Sequence, residues 1–169
     1  ALARLGGIAD AFLLHDREIL QRSDDSIIRM TAGAPMIMRR SRGYVPEPVL
    51  LARPLPEPLL AVGGELKNTI ALGRGSEIFL SQHIGELDNP EALAFFRHAI
   101  GHLQQLLRIE PQVIVHDLHP DYLSTQWALA QPAVRRIAVQ HHHAHLASVL
   151  AEHRLEGPCI GIILDGTGY

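Results

Sequence analysis

The sequence has a single cysteine, Cys159, so this chain can neither close a disulfide nor assemble a cysteine-based zinc finger on its own. Basic residues are not in excess, because 15 Lys and Arg stand against 18 Asp and Glu and give a net charge of -3. That balance argues against binding to nucleic acid or to an anionic membrane surface. The sequence contains no apolar run approaching the roughly 20 residues of a membrane-spanning helix, and no charged-then-apolar leader opens it. We therefore expect a cytoplasmic protein with no nucleic-acid and no membrane partner.

What the sequence does contain is a globular composition rich in histidine. Apolar residues make up 47% and charged residues 20% of the 169 positions, which is enough for one domain or two small ones. There are 11 histidines, and most of them lie between His116 and His153. The sequence begins without Met and stops inside a glycine-rich turn that starts at Asp165. We expect the chain to be part of a longer protein.

Proline divides the chain into two parts. Residues 1–45 contain short strand-like runs at 11–14, 26–29 and 35–38, separated by turn-forming residues, which is typical of the β-rich end of an α/β domain. Five prolines between residues 46 and 58 favour an extended connector, since proline continues neither a helix nor a central strand. The pattern predicts a domain boundary at residues 46–58 and a second domain over residues 59–169.

The second domain has a regular pattern of strands and helices. Residues 89–91 supply an N-cap, a proline at the first helical position and an acidic residue, and the apolar residues that follow recur every three or four positions. The full prediction places strands at 59–62, 69–72, 77–80, 113–115, 137–139 and 159–164, and helices at 90–108, 122–130 and 142–153. This βββαβαβαβ order predicts an α/β fold in which helices cover a partly parallel sheet. By fold-level analogy, it is the ribonuclease-H-like half-domain of actin-type ATPases and sugar kinases.

A metal site is predicted at the start of the last helix. His141 and His145 are four residues apart, so their imidazoles project from one helix face and can meet on one cation. Asp165 ends the next predicted strand, and open α/β sheets bind ligands at the carboxyl ends of strands. Two histidines and a carboxylate suit zinc or iron. The alternative is that a histidine-rich helix start serves only as a cap and a solvated surface.

Two glycine-containing segments are candidates for binding a nucleotide phosphate. Asp165, Gly166, Thr167 and Gly168 follow an apolar run, and glycines let backbone amides approach a phosphate closely. Lys67 lies between the first two strands of the second domain and can offer a positive point charge. Taken alone, the Lys67 segment is more commonly a plain hairpin with an exposed lysine, and the sequence at 165–168 also occurs in ordinary turns.

Other polar segments have weaker signals. Arg39, Arg40 and Arg42 can hold a carboxylate or phosphate through two parallel hydrogen bonds, although exposed arginines at a strand edge are the commoner explanation. Asp117 and His119 follow a buried strand and can bind substrate or order the surroundings of a metal, unless they only form a turn before the next helix.

Several strings of residues together resemble the HypF family, the carbamoyltransferases of [NiFe]-hydrogenase maturation. They occur in the family's order along the whole chain: ADAFLLH at 9–15, DDS at 24–26, RRSRGYVP at 39–46, GELKNT at 64–69, HIG at 83–85, HDLHP at 116–120, QHHHAH at 140–145 and DGTG at 165–168. The resemblance implies that residues 1–45 end a YrdC-like domain. It also implies that residues 59–169 begin a TsaD-like carbamoyltransferase domain.

The resemblance further implies a reaction. In the family, carbamoyl phosphate is hydrolysed at an acylphosphatase-like domain, and the carbamate is adenylated with ATP in the YrdC-like domain. The TsaD-like domain then passes the carbamoyl group from carbamoyl adenylate to the C-terminal cysteine of HypE, towards the cyanide ligands of the hydrogenase iron. On this basis His141, His145 and Asp165 match metal ligands, while Lys67 and the turn at 165–168 lie at the nucleotide. Residues 1–169 lack the other domains, so we expect them to be inactive alone.

Two other functions share part of this pattern. A tRNA threonylcarbamoyl-adenosine transferase would have the same histidine spacing, but the net charge does not favour a tRNA partner. A histidine-rich module that only stores or senses metal would not need Lys67 or the turn at 165–168. A metalloprotease would carry glutamate directly after His141, where this sequence has His142.

Overall fold

The computed structural model describes residues 2–132, 134–166 and 168. Its elements in chain order are α1 (Leu2–Leu5), β1 (Ile27–Thr31), β2 (Ala34–Arg39), β3 (Val49–Leu50), β4 (Leu59–Ala61), β5 (Ala71–Arg74), β6 (Glu77–Leu80), α2 (Pro90–Leu107), β7 (Val113–Asp117), α3 (Leu123–Leu129), β8 (Arg135–Val139) and α4 (His141–Glu152). No helix among these residues is both long enough and apolar enough to cross a membrane.

A six-stranded mixed sheet organises the second part of the chain. Its strands lie in the order β3-β6-β5-β4-β7-β8. Strands β4, β5 and β6 form an antiparallel meander, whereas β4, β7 and β8 run parallel because helices α2 and α3 return the chain to the same end of the sheet. The predicted ribonuclease-H-like α/β fold is confirmed by this order. The parallel strands β7 and β8 therefore end at the same edge, and α4 follows β8 directly.

Helix α2 covers the centre of the sheet and closes the core. Asn89 caps it, since its side-chain oxygen accepts a hydrogen bond from the Ala92 N–H at 2.8 Å, and Pro90 occupies the first turn. Phe96 is fully buried and meets Trp127 of α3 edge to face, with ring centroids 5.4 Å apart. The predicted helix is thus confirmed, and it packs against α3 through the contact of Phe96 with Trp127. Further buried apolar side chains come from the sheet, from residues next to its strands and from α2: Leu60, Val62, Ile70, Leu72, Ala99, Ile100, Leu103 and Ile114.

The strand predicted at residues 159–164 does not form. This segment is extended, but no described residue pairs with its backbone, and Ile160, Ile162 and Leu164 are 95%, 84% and 96% exposed. On the opposite side of the segment, Gly161 lies against the Leu146 side chain of α4. Exposed and covered side chains alternate along this segment, as they do in a strand with one covered face. The prediction is wrong because a strand also needs a hydrogen-bonded neighbour.

The first 58 residues follow the predicted pattern in part. The runs at 26–29 and 35–38 lie in the β1–β2 hairpin, whereas residues 11–14 are irregular and exposed. The proline-rich segment is irregular apart from the short strand β3, which pairs with β6 at the edge of the sheet. Arg154, just after α4, donates a hydrogen bond to the Leu50 carbonyl, so the segment also touches the end of the last helix.

Candidate metal centre

Two histidines project from the first two turns of α4. The helix begins at His141, and Gln140 caps it by accepting a hydrogen bond from the His143 N–H at 2.8 Å. His145 follows one turn later, and the two rings meet edge to face with centroids 4.8 Å apart. The position of α4 directly after β8 places both imidazoles at the carboxyl edge of the parallel strands.

Asp165 completes a cluster with these histidines. Its Oδ2 atom lies 3.1 Å from His141 Nε2 and 3.1 Å from His145 Nε2. Among the described residues this is the one group of three histidine, cysteine or carboxylate side chains whose ligand atoms all lie within 4.8 Å of one another. The structure therefore brings together the three residues that the sequence predicts as metal ligands.

The chemistry of this cluster fits a divalent cation. Ligand atoms held at about 2.1 Å from a tetrahedral zinc ion lie about 3.4 Å from one another, close to the two separations of 3.1 Å. The same Oδ2 atom faces both Nε2 atoms, so an ion among them would be bound by the two imidazole lone pairs and would offset the negative charge of the carboxylate. His141, His145 and Asp165 can thus hold zinc or iron and leave a coordination position open.

A second carboxylate contacts the far side of the His141 ring. Asp117 ends β7 with its side chain only 6% exposed, and its Oδ2 atom lies 2.6 Å from His141 Nδ1. Its Oδ1 atom accepts a hydrogen bond from the His119 N–H at 2.9 Å. The sequence marks Asp117 only as a general candidate, since the pairing of β7 with β8 that brings it to His141 is not evident from spacing within the sequence.

The loop between β4 and β5 packs against the same site. Asn68 in this loop is buried and donates hydrogen bonds to the carbonyls of Val62 and Gly64. Gly64 faces the site, since a Cβ atom placed there would lie 3.5 Å from the His141 ring and 3.6 Å from the Tyr122 ring. Gly64 therefore lies within one methyl group of both rings, and an alanine there would make ordinary van der Waals contact with them.

The carboxylates around the cluster affect the pKa of Tyr122. The tyrosine stacks on His119 with parallel rings whose centroids are 4.1 Å apart. Burial is the largest cause that raises the pKa of the Tyr122 phenol above its ordinary value, and nearby carboxylates raise that pKa further. In decreasing order of effect they are Asp117, Asp165 and Glu65. Three carboxylates therefore act on the Tyr122 phenol from around the cluster.

The residues predicted to bind a nucleotide lie in two places. Gly168 is next to the metal cluster, because a Cβ atom there would fall 2.8 Å from the His141 ring. Gly166 is exposed, and Thr167 lies outside the described residues. Lys67 is exposed at the other end of the β4–β5 loop, with a left-handed φ of 51°. The loop therefore links the metal cluster at Gly64 to a second polar region at Lys67.

That second region contains a half-buried histidine and a cavity. Burial is the main cause that lowers the pKa of His83, and the charges of Arg39 and Lys67 lower that pKa further, while Asp24 opposes them. His83 lines a cavity of about 730 Å³ together with Arg42 and Phe95. The cavity lies between the N-terminal segment, the loop that follows β6 and helix α2.

The two predicted arginines differ in what they contact. Arg40 donates hydrogen bonds to the carbonyls of Tyr44 and Glu47, both at 3.0 Å, which braces the turn before the proline-rich segment. Arg42 donates to the Ser23 carbonyl at 3.1 Å and pairs with Asp25 at 3.6 Å. Only Arg42 reaches the lining of the cavity. Ligand binding by either arginine stays a prediction.

A second histidine pair with the same spacing provides a contrast. His98 and His102 lie on the surface of α2, where their rings stack nearly parallel with centroids 6.1 Å apart. His98 contacts Gln21 through its Nε2 atom at 3.0 Å. Spacing of four residues on a helix is therefore not sufficient for a three-ligand cluster, and the carboxylate of Asp165 distinguishes the site in α4.

Comparison with known proteins identifies relatives along the whole chain. Residues 54–152 match the HypF Kae1-like domain. Carbamoyltransferase HypF2 of Cupriavidus necator is 53% identical over 99% of this chain, and carbamoyltransferase HypF of Synechocystis sp. is 48% identical over 100% of it. These alignments cover 21% and 22% of the two relatives. The chain thus spans about a fifth of the length of the curated proteins that it matches.

Solved structures agree with this similarity. A crystal structure of full-length HypF in the phosphate- and nucleotide-bound form superposes with a TM-score of 0.92 at 48% identity, covering 99% of this chain and 26% of that one. The crystal structure of T. kodakarensis HypF gives a TM-score of 0.86 at 43% identity, covering 98% of this chain and 22% of that one. The similarity includes both the hairpin region and the six-stranded sheet.

Proposed function

This chain belongs to the HypF carbamoyltransferase family, and from that premise we propose that it carries the metal centre of an ATP-dependent carbamoyltransferase. The enzyme makes carbamoyl adenylate from carbamoyl phosphate and ATP. It transfers the carbamoyl group to the C-terminal cysteine of HypE, for the cyanide ligands of a [NiFe]-hydrogenase. The reaction takes place in the cytoplasm. The observation that carries the proposal is the convergence of His141, His145 and Asp165 on one point.

The metal supplies Lewis-acid chemistry when bound, since a divalent ion polarises a carbonyl and offsets phosphate charge. His141 and His145 would hold it through Nε2, and Asp165 through its carboxylate. With these three residues as ligands, a bound divalent ion would be able to accept the carbamoyl oxygen as a further ligand. The β4–β5 loop borders the site on one side, because a Cβ atom at Gly64 would lie in van der Waals contact with the His141 ring.

The two glycine-containing segments, residues 165–168 and the loop that contains Lys67, would bind the adenylate. Backbone amides at Gly166 and Gly168 would donate hydrogen bonds to the phosphate, and Gly168 is already beside the His141 ring. Lys67 would stabilise the charge of the departing AMP as a flexible point charge. The acceptor thiolate then attacks the carbamoyl carbon, and AMP leaves with the bonding electron pair.

The acceptor cysteine is expected to come from another protein. The chain's own thiol, Cys159, is exposed on the irregular segment after α4, and its sequence neighbourhood contains no base that would activate it. An external cysteine such as that of HypE supplies the nucleophile instead. This chain then has to orient the carbamoyl group and keep it accessible.

A chimera tests this proposal within a full-length protein. The chimera carries this chain in place of the matching segment of the C. necator relative. It receives ATP with or without labelled carbamoyl phosphate, and AMP, pyrophosphate and label on HypE are counted. The test variant combines His141→Ala with His145→Ala. The matched control combines His98→Ala with His102→Ala, which removes a histidine pair of the same spacing from α2.

The proposal predicts carbamoyl-phosphate-dependent AMP and pyrophosphate in all three proteins. Label on the HypE cysteine should fall by more than about 100-fold only in the variant of His141 and His145, because it lacks two of three metal ligands. Equal labelling in that variant and in the control would overturn the metal-centred transfer. An unmutated chimera that forms AMP and pyrophosphate without carbamoyl phosphate would overturn the adenylation step. Residues 1–169 alone should transfer no label.

A further inference from the structure

We propose that Asp117 is a positioning residue that holds His141 in the tautomer and ring orientation needed to bind the metal. The inference deepens the proposed function and rests on the metal site proposed there. Asp117 is the last residue of β7, outside the three predicted ligands, and it contacts His141 rather than the position of the ion. Its role is therefore to act through His141.

The contacts of the His141 ring select one tautomer once an ion occupies the position beside Nε2. The buried carboxylate of Asp117 lies 2.6 Å from Nδ1 and can only accept a hydrogen bond when ionised, so Nδ1 carries the hydrogen. The lone pair of the neutral ring is then on Nε2, which faces Asp165. Metal-binding histidines commonly have this arrangement, with one nitrogen donating to a carboxylate and the other bound to the ion.

Asp117 is itself held in place by the fold. In the parallel ladder of β7 and β8, Asp117 is the partner of Val139, and the Leu118 N–H donates to the Val139 carbonyl at 3.0 Å. The Asp117 carbonyl accepts a hydrogen bond from the buried Thr125 hydroxyl at 3.1 Å. Since Val139 is two residues before His141, strand register alone brings the carboxylate to the base of α4. His145 is one turn further along and has a side chain that is 52% exposed, compared with 21% for His141.

The two carboxylate oxygens of Asp117 have separate partners, which makes the Asn variant informative. Oδ2 contacts His141 Nδ1, and Oδ1 accepts the His119 N–H. In Asp117→Asn, one oxygen becomes an NH₂ group of nearly the same size. If the NH₂ group faces His141, that ring must move its hydrogen to Nε2 and lose its free lone pair. If the NH₂ group faces His119, two donors oppose each other in the loop.

The test measures Co²⁺ and Zn²⁺ affinity of the purified protein by competition with a chelator of known strength. Co²⁺ also reports ligand geometry through its visible absorption. The variants are Asp117→Asn and Asp117→Glu, and Asp121→Asn is the matched control because Asp121 is exposed in the same turn. We expect affinity in Asp117→Asn to fall by about 10–100-fold. Asp117→Glu should recover part of that loss, and Asp121→Asn should bind as the parent does.

A spectroscopic measurement on the unmutated protein covers the case in which Asp117→Asn fails to fold. In the Zn²⁺-loaded protein, ¹⁵N NMR should show a hydrogen on Nδ1 of His141 and none on Nε2. A hydrogen on Nε2 would overturn the positioning role. Equal Co²⁺ affinity of the parent and Asp117→Asn, with one equivalent bound in both, would overturn it as well while leaving the metal site intact. A parent that binds no ion at His141 and His145 would overturn the metal site and this inference together.

Discussion

Glu65 and Leu123 are joined by a hydrogen bond across 58 residues of sequence, in which the Leu123 N–H donates to Glu65 Oε2 at 2.8 Å. Leu123 is the first residue of α3, and the N-cap residue Tyr122 makes no side-chain capping bond. Glu65 therefore caps the helix from the β4–β5 loop. Its negative charge also interacts favourably with the helix N-terminus.

Removal of this cap should destabilise the protein. We expect Glu65→Ala to lower the free energy of unfolding by about 1 kcal/mol, since the Leu123 N–H loses its partner. Denaturant titration measures the change, with Glu86→Ala as a control because Glu86 is exposed in the segment between β6 and α2. Equal stability of the two variants would mean that water replaces the carboxylate at no cost.

Gly63 opens the same loop and has little tolerance for a side chain. Its φ is 68°, and a Cβ atom there would lie 2.5 Å from the Thr69 carbonyl oxygen. Gly63→Ala should therefore cost at least about 2 kcal/mol of unfolding free energy, from backbone strain together with the clash. Gly75→Ala is the matched control, because Gly75 has a φ of 56° and open space around its Cβ position.

The control isolates the clash from the strain. Gly75→Ala should cost only about 1 kcal/mol, the ordinary penalty of a left-handed alanine. The two free energies of unfolding can be compared directly by denaturant titration. If Gly75→Ala were as destabilising as Gly63→Ala, the close approach of Thr69 would have no energetic role.

His83 should titrate at lower pH than a free histidine. Burial, Arg39 and Lys67 lower its pKa below the ordinary value of 6.5. The unfolded chain then binds this proton more readily than the folded one between the two pKa values. His83 therefore contributes stability that is present above pH 6.5 and is lost as the pH falls through the folded-state pKa.

An NMR titration of the His83 ring checks this directly. We expect a midpoint below 6.5, and an upward movement of that midpoint in Lys67→Gln, because one of the positive charges near the ring is removed. The exposed substitution Arg97→Gln on α2 is the control and should leave the midpoint unchanged. A His83 midpoint at or above the free value would contradict the lowering of this pKa by burial and by the two positive charges.

Local sequence patterns were sufficient to predict elements whose signals are contained within them. The helix α2 has its cap at Asn89 and its apolar face within 20 residues, so its start and end could be predicted closely. The order of the meander and the crossovers followed from the same kind of evidence. The proximity of His141 and His145 could be predicted from the helical repeat alone.

Features that depend on distant partners could not be predicted in the same way. The run at 159–164 has the alternation of a strand, yet whether it forms one depends on a neighbour that alternation does not specify. The Asp117 contact with His141 depends on the register of β7 against β8. The cap from Glu65 to Leu123 crosses half the second domain. Each of these is a tertiary relationship, and local propensity carries no information about it.

The central claim is that His141, His145 and Asp165 hold one divalent ion, and anomalous X-ray diffraction at the zinc absorption edge tests it most directly. Crystals of the protein grown with equimolar Zn²⁺ should show one strong anomalous peak, about 2.0–2.2 Å from both His Nε2 atoms and from the Asp165 carboxylate. The His98 and His102 pair, which has the same spacing without the carboxylate, should show none. Zinc bound at that pair, with no peak between His141 and His145, would contradict the account.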